Sequence, residues 1–464
     1  MTPPEAVHDE PPRFLVGSLL FIALVVAAVG SLGAPLITSV ATTFDVSLAS
    51  AQWTLTITLF AGAIATPVLG RLGAGPHRRT AILVTLAVVV TGSILTVVPV
   101  PFAWLLLGRA AQGVGLGLTA LMMGVARDHL PEDKSDSTIA LVSVASTIGI
   151  GIGYPLAGLL TELGGVRAAY GLGLAVTVLA FTAAYLHVPR SPAGRASRMD
   201  IPGAVLLAAA LSLVLFLASE TTVWTDHLTV AASLGVLGVL ILGAWVVVEN
   251  RCIAPLVDVR MLRHPTVAGA NIAMFIGGIG MYLLLTLITR YAQTPGDTGY
   301  GFGLSTFAAG LVLVPFSALG FVAGKLTPRA RGRFGAPLVL AAAAGTVLVG
   351  FVVFATARTT VVEVLAAMAI LGFGVGSFSS GMPGVILAVT PERETSSAMG
   401  VNQVVRSIGF SLGSAVGGLT LAAGTDGHFP DDTAYTTAAW IGATVMLATT
   451  VVCVALHTKT TPHR

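Results

Sequence analysis

Leu107-Gly108-Arg109-Ala110-Ala111-Gln112-Gly113-Val114-Gly115-Leu116-Gly117 lies inside an apolar run. Its Gly-x-Gly-x-Gly spacing returns at Gly372, Gly374 and Gly376, 259 residues later. One such triplet among 54 glycines would carry no weight. Two further features return in the same order. Gly70-Arg71-Leu72 closes an apolar run ahead of a basic loop, and Gly324-Lys325-Leu326 does the same 254 residues later. Ile148-Gly149, Gly153 and Gly158 are matched by Ile408-Gly409, Gly413 and Gly418, 260 residues later. Three features in nearly one register indicate a duplicated unit. Small residues spaced by four let helix backbones approach closely. Inside apolar runs, with no soluble strand before them, they are not dinucleotide-binding fingerprints.

The composition places this duplication in a membrane. Of 464 residues, 55% are hydrophobic and 10% charged, with a mean hydropathy of +0.90. A soluble domain carries about 25% charged residues, so soluble enzymes, nucleic-acid binders and disordered chains are excluded. Runs long enough to span a bilayer fall near 14–40, 51–70, 80–99, 102–126, 138–161, 168–188, 201–219, 229–248, 266–291, 304–324, 336–356, 361–387, 396–422 and 434–457. The fold class is thus an all-α polytopic membrane protein of fourteen spans. Spans 7 and 8 have no counterpart in the repeat, which gives a 6+2+6 arrangement: a six-helix bundle over 1–190, a two-helix linker over 191–263 and a second bundle over 264–464. An even count puts both termini on one side. Nineteen of the 24 Lys and Arg residues lie in loops on that side and three on the other, so the termini are expected in the cytoplasm. Glu5, Asp9 and Glu10 give the first residues the wrong charge for a cleavable signal. Cys252 and Cys453 are too few for a disulfide framework. Only Lys134, Lys325 and Lys459 are lysine; with the Ala, Gly and Val richness, this suggests a GC-rich bacterial genome.

The same residues resemble the motifs of the major facilitator superfamily, in its fourteen-span drug:proton antiporter branch of actinobacterial type, along essentially the whole chain. Gln52-Trp53 and Gly70-Arg71-Leu72 with Arg78-Arg79 resemble motif A; Leu107 to Gly113 resembles motif B; Gly149-x-x-x-Gly153-Tyr154-Pro155-x-x-Gly158 resembles motif C, which is associated with exporters. The segments Glu249 to Asp258 and Asn402 to Gly409 also resemble the branch. The resemblance implies two bundles rocking about a central site and a small-molecule substrate moved across the bacterial plasma membrane. It further implies a proton gradient as driving force and no other cofactor, metal or nucleic-acid partner, in a monomer embedded in the lipid bilayer. The substrate expected is hydrophobic or amphipathic, as in multidrug or secondary-metabolite efflux; a defined metabolite or lipid moved without protons is the alternative. A non-transporting receptor is disfavoured by the duplicated halves. Two positions depart from the pattern: Ala74 stands where motif A has an aspartate, and Val26 where many members have one in span 1.

Arg109 is a permanent cation within a span, costly unless paired or hydrated. It reads either as a cap on backbone carbonyls or as a group tuning a proton site or gate, with Gln112 on nearly the same helix face. Arg406 is the second such cation, following Asn402 and Gln403. No carboxylate falls mid-span, so a proton carrier is sought at span ends, where Glu363 and Asp45 are the candidates. The gate is expected at Gly70, Arg71, Ala74, Arg78 and Arg79, and at Gly149, Gly153, Pro155 and Gly158, where the proline permits a bend. Trp53, Met122, Asn271, Met274, Phe275, Tyr282, Phe378, Asn402 and Gln403 are the candidate cavity lining; methionine-rich surfaces adapt to varied ligands. Because Ala74 cannot place a charge against the penultimate helix, the side bearing the termini is expected to rest open.

Overall fold

The computed structural model describes residues 14–73, 76–190, 200–219, 223, 227–252, 255, 259–260, 264–425 and 429–460. Ala74 and the acidic first residues lie outside these. Among the described residues all regular structure is helical. Eleven helices among these residues are long and apolar enough to cross a membrane, and Leu15–Ser31 and Ile201–Val214 are shorter apolar helices.

The first half opens with α1 (Leu15–Ser31) and α2 (Gly33–Phe44), one apolar run broken at Leu32. Pro35 has no N–H to offer the Ser31 carbonyl, which places the break. Next come α3 (Leu48–Gly73), α4 (Arg78–Val97) and α5 (Phe102–Val114), then a 3-10 turn at Gly115–Gly117 leading into α6 (Leu118–His129). The last element, α7 (Glu132–His187), contains two arms. Gly164 and Gly165 break it, and Gly165 at φ 72° holds a left-handed conformation that glycine adopts without a Cβ clash. Both arm ends return to one end of the bundle, where Ser18 bonds His187 at 2.9 Å and Arg331 pairs with Asp136.

Two helices follow, α8 (Ile201–Ser219) and α9 (Leu228–Arg251). They pack on each other, and α8 covers the seam between the halves, with Leu207 and Leu211 beside Ala63 and Val404. The α9 helix is largely exposed. Both lie at the periphery of the helices they pack against. Glu249, which falls at a span end in the sequence, is buried and accepts a hydrogen bond from the Trp245 indole at 3.0 Å.

The second half contains α10 (Pro265–Gln293), α11 (Thr306–Val312), α12 (Val314–Phe334), α13 (Ala336–Thr356), α14 (Val361–Ile386), α15 (Thr395–Ala423) and α16 (Asp432–Thr460). It repeats the packing of the first. Gly113 of α5 lies on the Thr58 backbone of α3, and Gly372 of α14 lies on the Phe316 backbone of α12. Gly115 faces Val89 of α4, and Gly374 faces Val347 of α13. A Cβ at any of these four glycines would collide, so the sequence repeat is a repeat of close helix crossings.

Candidate functional site between the halves

Arg109 is fully buried and bonded almost entirely to backbone. Its Nη1 donates to the Val29 carbonyl at 3.0 Å and to Gln112 Oε1 at 2.6 Å, its Nη2 to the Gly30 carbonyl at 3.1 Å, and its Nε to the Thr54 carbonyl at 3.1 Å. Val29 and Gly30 immediately precede the break between α1 and α2, where carbonyls lose their helical donors. Gln112 is held in turn, donating to Ser93 at 3.0 Å and Thr96 at 3.3 Å. The Tyr170 ring stands 5.8 Å from the guanidinium carbon. Arg109 and Gln112 thus form one network that fixes the broken first span to α3, α4 and the second arm of α7. Thr54, Ser93, Thr96 and Tyr170 were not legible as its members, because single hydroxyls in apolar runs carry no pattern.

Arg406 is different. It is 8% exposed, and its guanidinium has no hydrogen-bond or ion-pair partner among the described residues. It stands 5.6 Å from the Phe410 ring centroid, and Phe410 stacks on Tyr282 at 5.2 Å. Tyr154, from the first half, is partly buried against the same apolar core as Tyr282. Gln403, Phe275 and Trp53 are partly accessible. Arg406, Phe410 and Tyr282, on α15 and α10, make an aromatic site with one unneutralised cation.

Several expected lining residues belong elsewhere. Met122, Met274 and Phe378 are at most 2% exposed and form core packing. Asn402 donates to Asn271 at 3.1 Å, tying α15 to α10. The carboxylate candidates both sit at helix ends. Glu363 closes a capping box with Thr360 at the start of α14, and Asp45 terminates α2 in a left-handed conformation.

The end bearing Arg71, Arg78 and Arg127, here the basic end, is closed, contrary to the expectation drawn from Ala74. Ser396, at the start of α15, is fully buried, packed on Gly70 and Gly73 of α3 and on Gly124 of α6. Arg71 reaches Glu394 across the halves at 3.7 Å. Arg127 donates to Thr395 Oγ1 at 3.0 Å and to the carbonyls of Thr390 at 3.2 Å and Leu387 at 3.4 Å. Arg78 bonds the Gly73 carbonyl and pairs with Asp128, and Arg79 donates to the Tyr185 carbonyl at 2.8 Å. In the sequence Glu394 and Arg127 carry no sign of a partner in the other half. Their side chains span the seam and supply the closure.

Motif C lies on two seams at once. Gly149 and Gly153 press on α1, while Gly158 and Pro155 meet Phe307 and Gly310 of α11 in the other half.

The Major Facilitator Superfamily model matches residues 19–414 and 270–464 of this chain. Multidrug resistance protein Stp of Mycobacterium tuberculosis is 26% identical over 356 residues, 75% of this chain and 64% of Stp. The chain therefore spans just under two thirds of that relative. The cephamycin export protein CmcT of Amycolatopsis lactamdurans is 27% identical over 414 residues, 86% of this chain and 83% of CmcT. The crystal structure of human MFSD10 superposes with a TM-score of 0.69 over 96% of this chain and all of that one, at 13% identity, a likeness of fold. With a family match over most of its length and this repeated helical architecture, the chain belongs to the major facilitator superfamily.

Proposed function

We propose that the protein is a secondary exporter of hydrophobic or amphipathic small molecules, working by alternating access in a bacterial plasma membrane. The relatives named for multidrug resistance and cephamycin export support export of this kind. Fourteen crossings, with both termini and the basic end cytoplasmic, agree with the apolar helices, the reversal inside α7 and the loop charges. The proton gradient is the driving force, and the monomer is the working unit.

The observation that carries the reading is Arg406 beside Phe410, which stacks on Tyr282. An uncompensated cation in low dielectric is stabilised by a ligand carrying negative charge, and the rings take up an apolar body. The solutes served best are aromatic amphiphiles with an anionic group. A hydrogen bond to a charged group contributes about 1.5–3 kcal/mol. Arg406→Gln is therefore expected to weaken 1-anilinonaphthalene-8-sulfonate by more than about tenfold and to leave the neutral N-phenyl-1-naphthylamine nearly unchanged. Equal losses for both, or none for either, would remove Arg406 from the site.

A second reading, transport without protons, is favoured by the capping-box engagement of Glu363 and the placement of Asp45 at the end of α2 rather than within a span. Transport in vesicles with and without a pH gradient separates the two.

A further inference from the structure

A cleft of about 620 Å³ runs between α7 and α12, with α1 as its third wall. It lies on the membrane face of the seam. Around α7, Gly149 and Gly153 meet α1, Gly151 and Gly158 meet the second half, and Tyr154 is partly buried against the core. The remaining face carries Ile152 and Leu156, 44% and 40% exposed. Around α12, Phe316 and Gly320 meet α14, and Ser317 and Gly324 meet α7. The face left over carries Val314 and Phe321, 45% and 40% exposed. The cleft is thus an apolar furrow open to lipid.

Its polar end is specific. Lys325 follows Phe321 by one turn on the same face, with its ammonium 4.4 Å from the Phe321 ring centroid. Arg329 follows one turn later, exposed, and donates to the Lys325 carbonyl at 3.3 Å. Neither has a carboxylate partner among the described residues. Its counterpart in the repeat, Arg71, has Glu394. The three-lysine chain places one of them here, where a flexible stem lets a compact charge rise along apolar surface.

We propose that this furrow binds one anionic glycerophospholipid from the leaflet at the basic end, an acyl chain lying between α7 and α12 and the phosphate held by Lys325 and Arg329. Two uncompensated cations at the mouth of an apolar furrow favour that amphiphile over a zwitterionic lipid, whose own headgroup cation they repel. The seat joins the two halves, so the lipid bears on the seam that rocking must shear.

The test is native mass spectrometry of the full chain in detergent, titrated with phosphatidylglycerol or phosphatidylcholine. A cation near a membrane surface favours an anionic lipid by about fivefold. The wild type is expected to prefer phosphatidylglycerol by about tenfold or more. K325Q/R329Q should abolish the preference, and K325R/R329K should keep it, which separates charge from folding. Ala318→Trp, filling the furrow, should lower retention of both lipids. Equal retention of the two lipids by the wild type would overturn the proposal, as would an unchanged preference in K325Q/R329Q. Displacement by inorganic phosphate would assign the cations to a free anion, and loss of lipid on dimer formation would assign the face to a second copy; either result also overturns it. No transport is measured, so failure here leaves the export reading standing.

Discussion

Arg109→Ala is expected to abolish transport, or cut it by more than about tenfold, in a protein that still inserts. The side chain satisfies three carbonyls and the Gln112 amide oxygen. Each acceptor left buried and unpaired costs about 1–3 kcal/mol, and two of them, on Val29 and Gly30, immediately precede the break in the first span. The break should loosen, so the melting temperature should fall together with activity. Arg109→Lys should rescue only part of both, because an ammonium lacks the planar fork that meets Val29, Gly30 and Thr54 together. Initial rates in vesicles and thermal unfolding in detergent check this. Wild-type rates in Arg109→Ala would reduce the residue to a dispensable scaffold.

The second large effect is expected at the closed end. Arg127→Ala with Glu394→Gln removes the three hydrogen bonds of Arg127 and the Arg71 ion pair. All four cross the seam, so they favour closure at the basic end without stabilising either half alone. Losing about 1 kcal/mol shifts a two-state ratio about fivefold. Spin labels at Thr80 and Ala388, with Cys252 and Cys453 replaced, should report a longer distance population in the double variant. An unchanged distribution would mean that Ser396 packed on Gly70 and Gly73 closes this end by itself.

The duplication was legible because it is written in glycines, and glycines mark the crossings where backbones touch. Gly113 on Thr58 and Gly372 on Phe316 are one contact made twice. The reversal inside α7 was legible as two apolar runs around Gly164-Gly165. What escaped was the partnership of polar side chains. Arg127 and Arg358 both count as loop charges in a sequence, yet Arg127 bridges the halves. Arg358 is buried against Asp432, paired at 2.8 Å, and against Thr436, to which it donates at 2.6 Å. Those pairs join segments far apart in the chain, and only the packing brings them together. The cavity assignment erred for a related reason. A methionine or phenylalanine in an apolar span has the same pattern whether it faces a solute or a neighbouring helix. Arg406 stood out because a charge in a span needs an explanation of its own.

The most direct test of the whole account is solute uptake by inside-out vesicles carrying the full chain, with an acidic interior imposed and 1-anilinonaphthalene-8-sulfonate outside. The account predicts accumulation well above vesicles lacking the protein, collapse of that accumulation when the pH gradient is dissipated, and loss of most of it in Arg406→Gln. Uptake no greater than in empty vesicles, with folded protein present at normal density and the gradient intact, would contradict it.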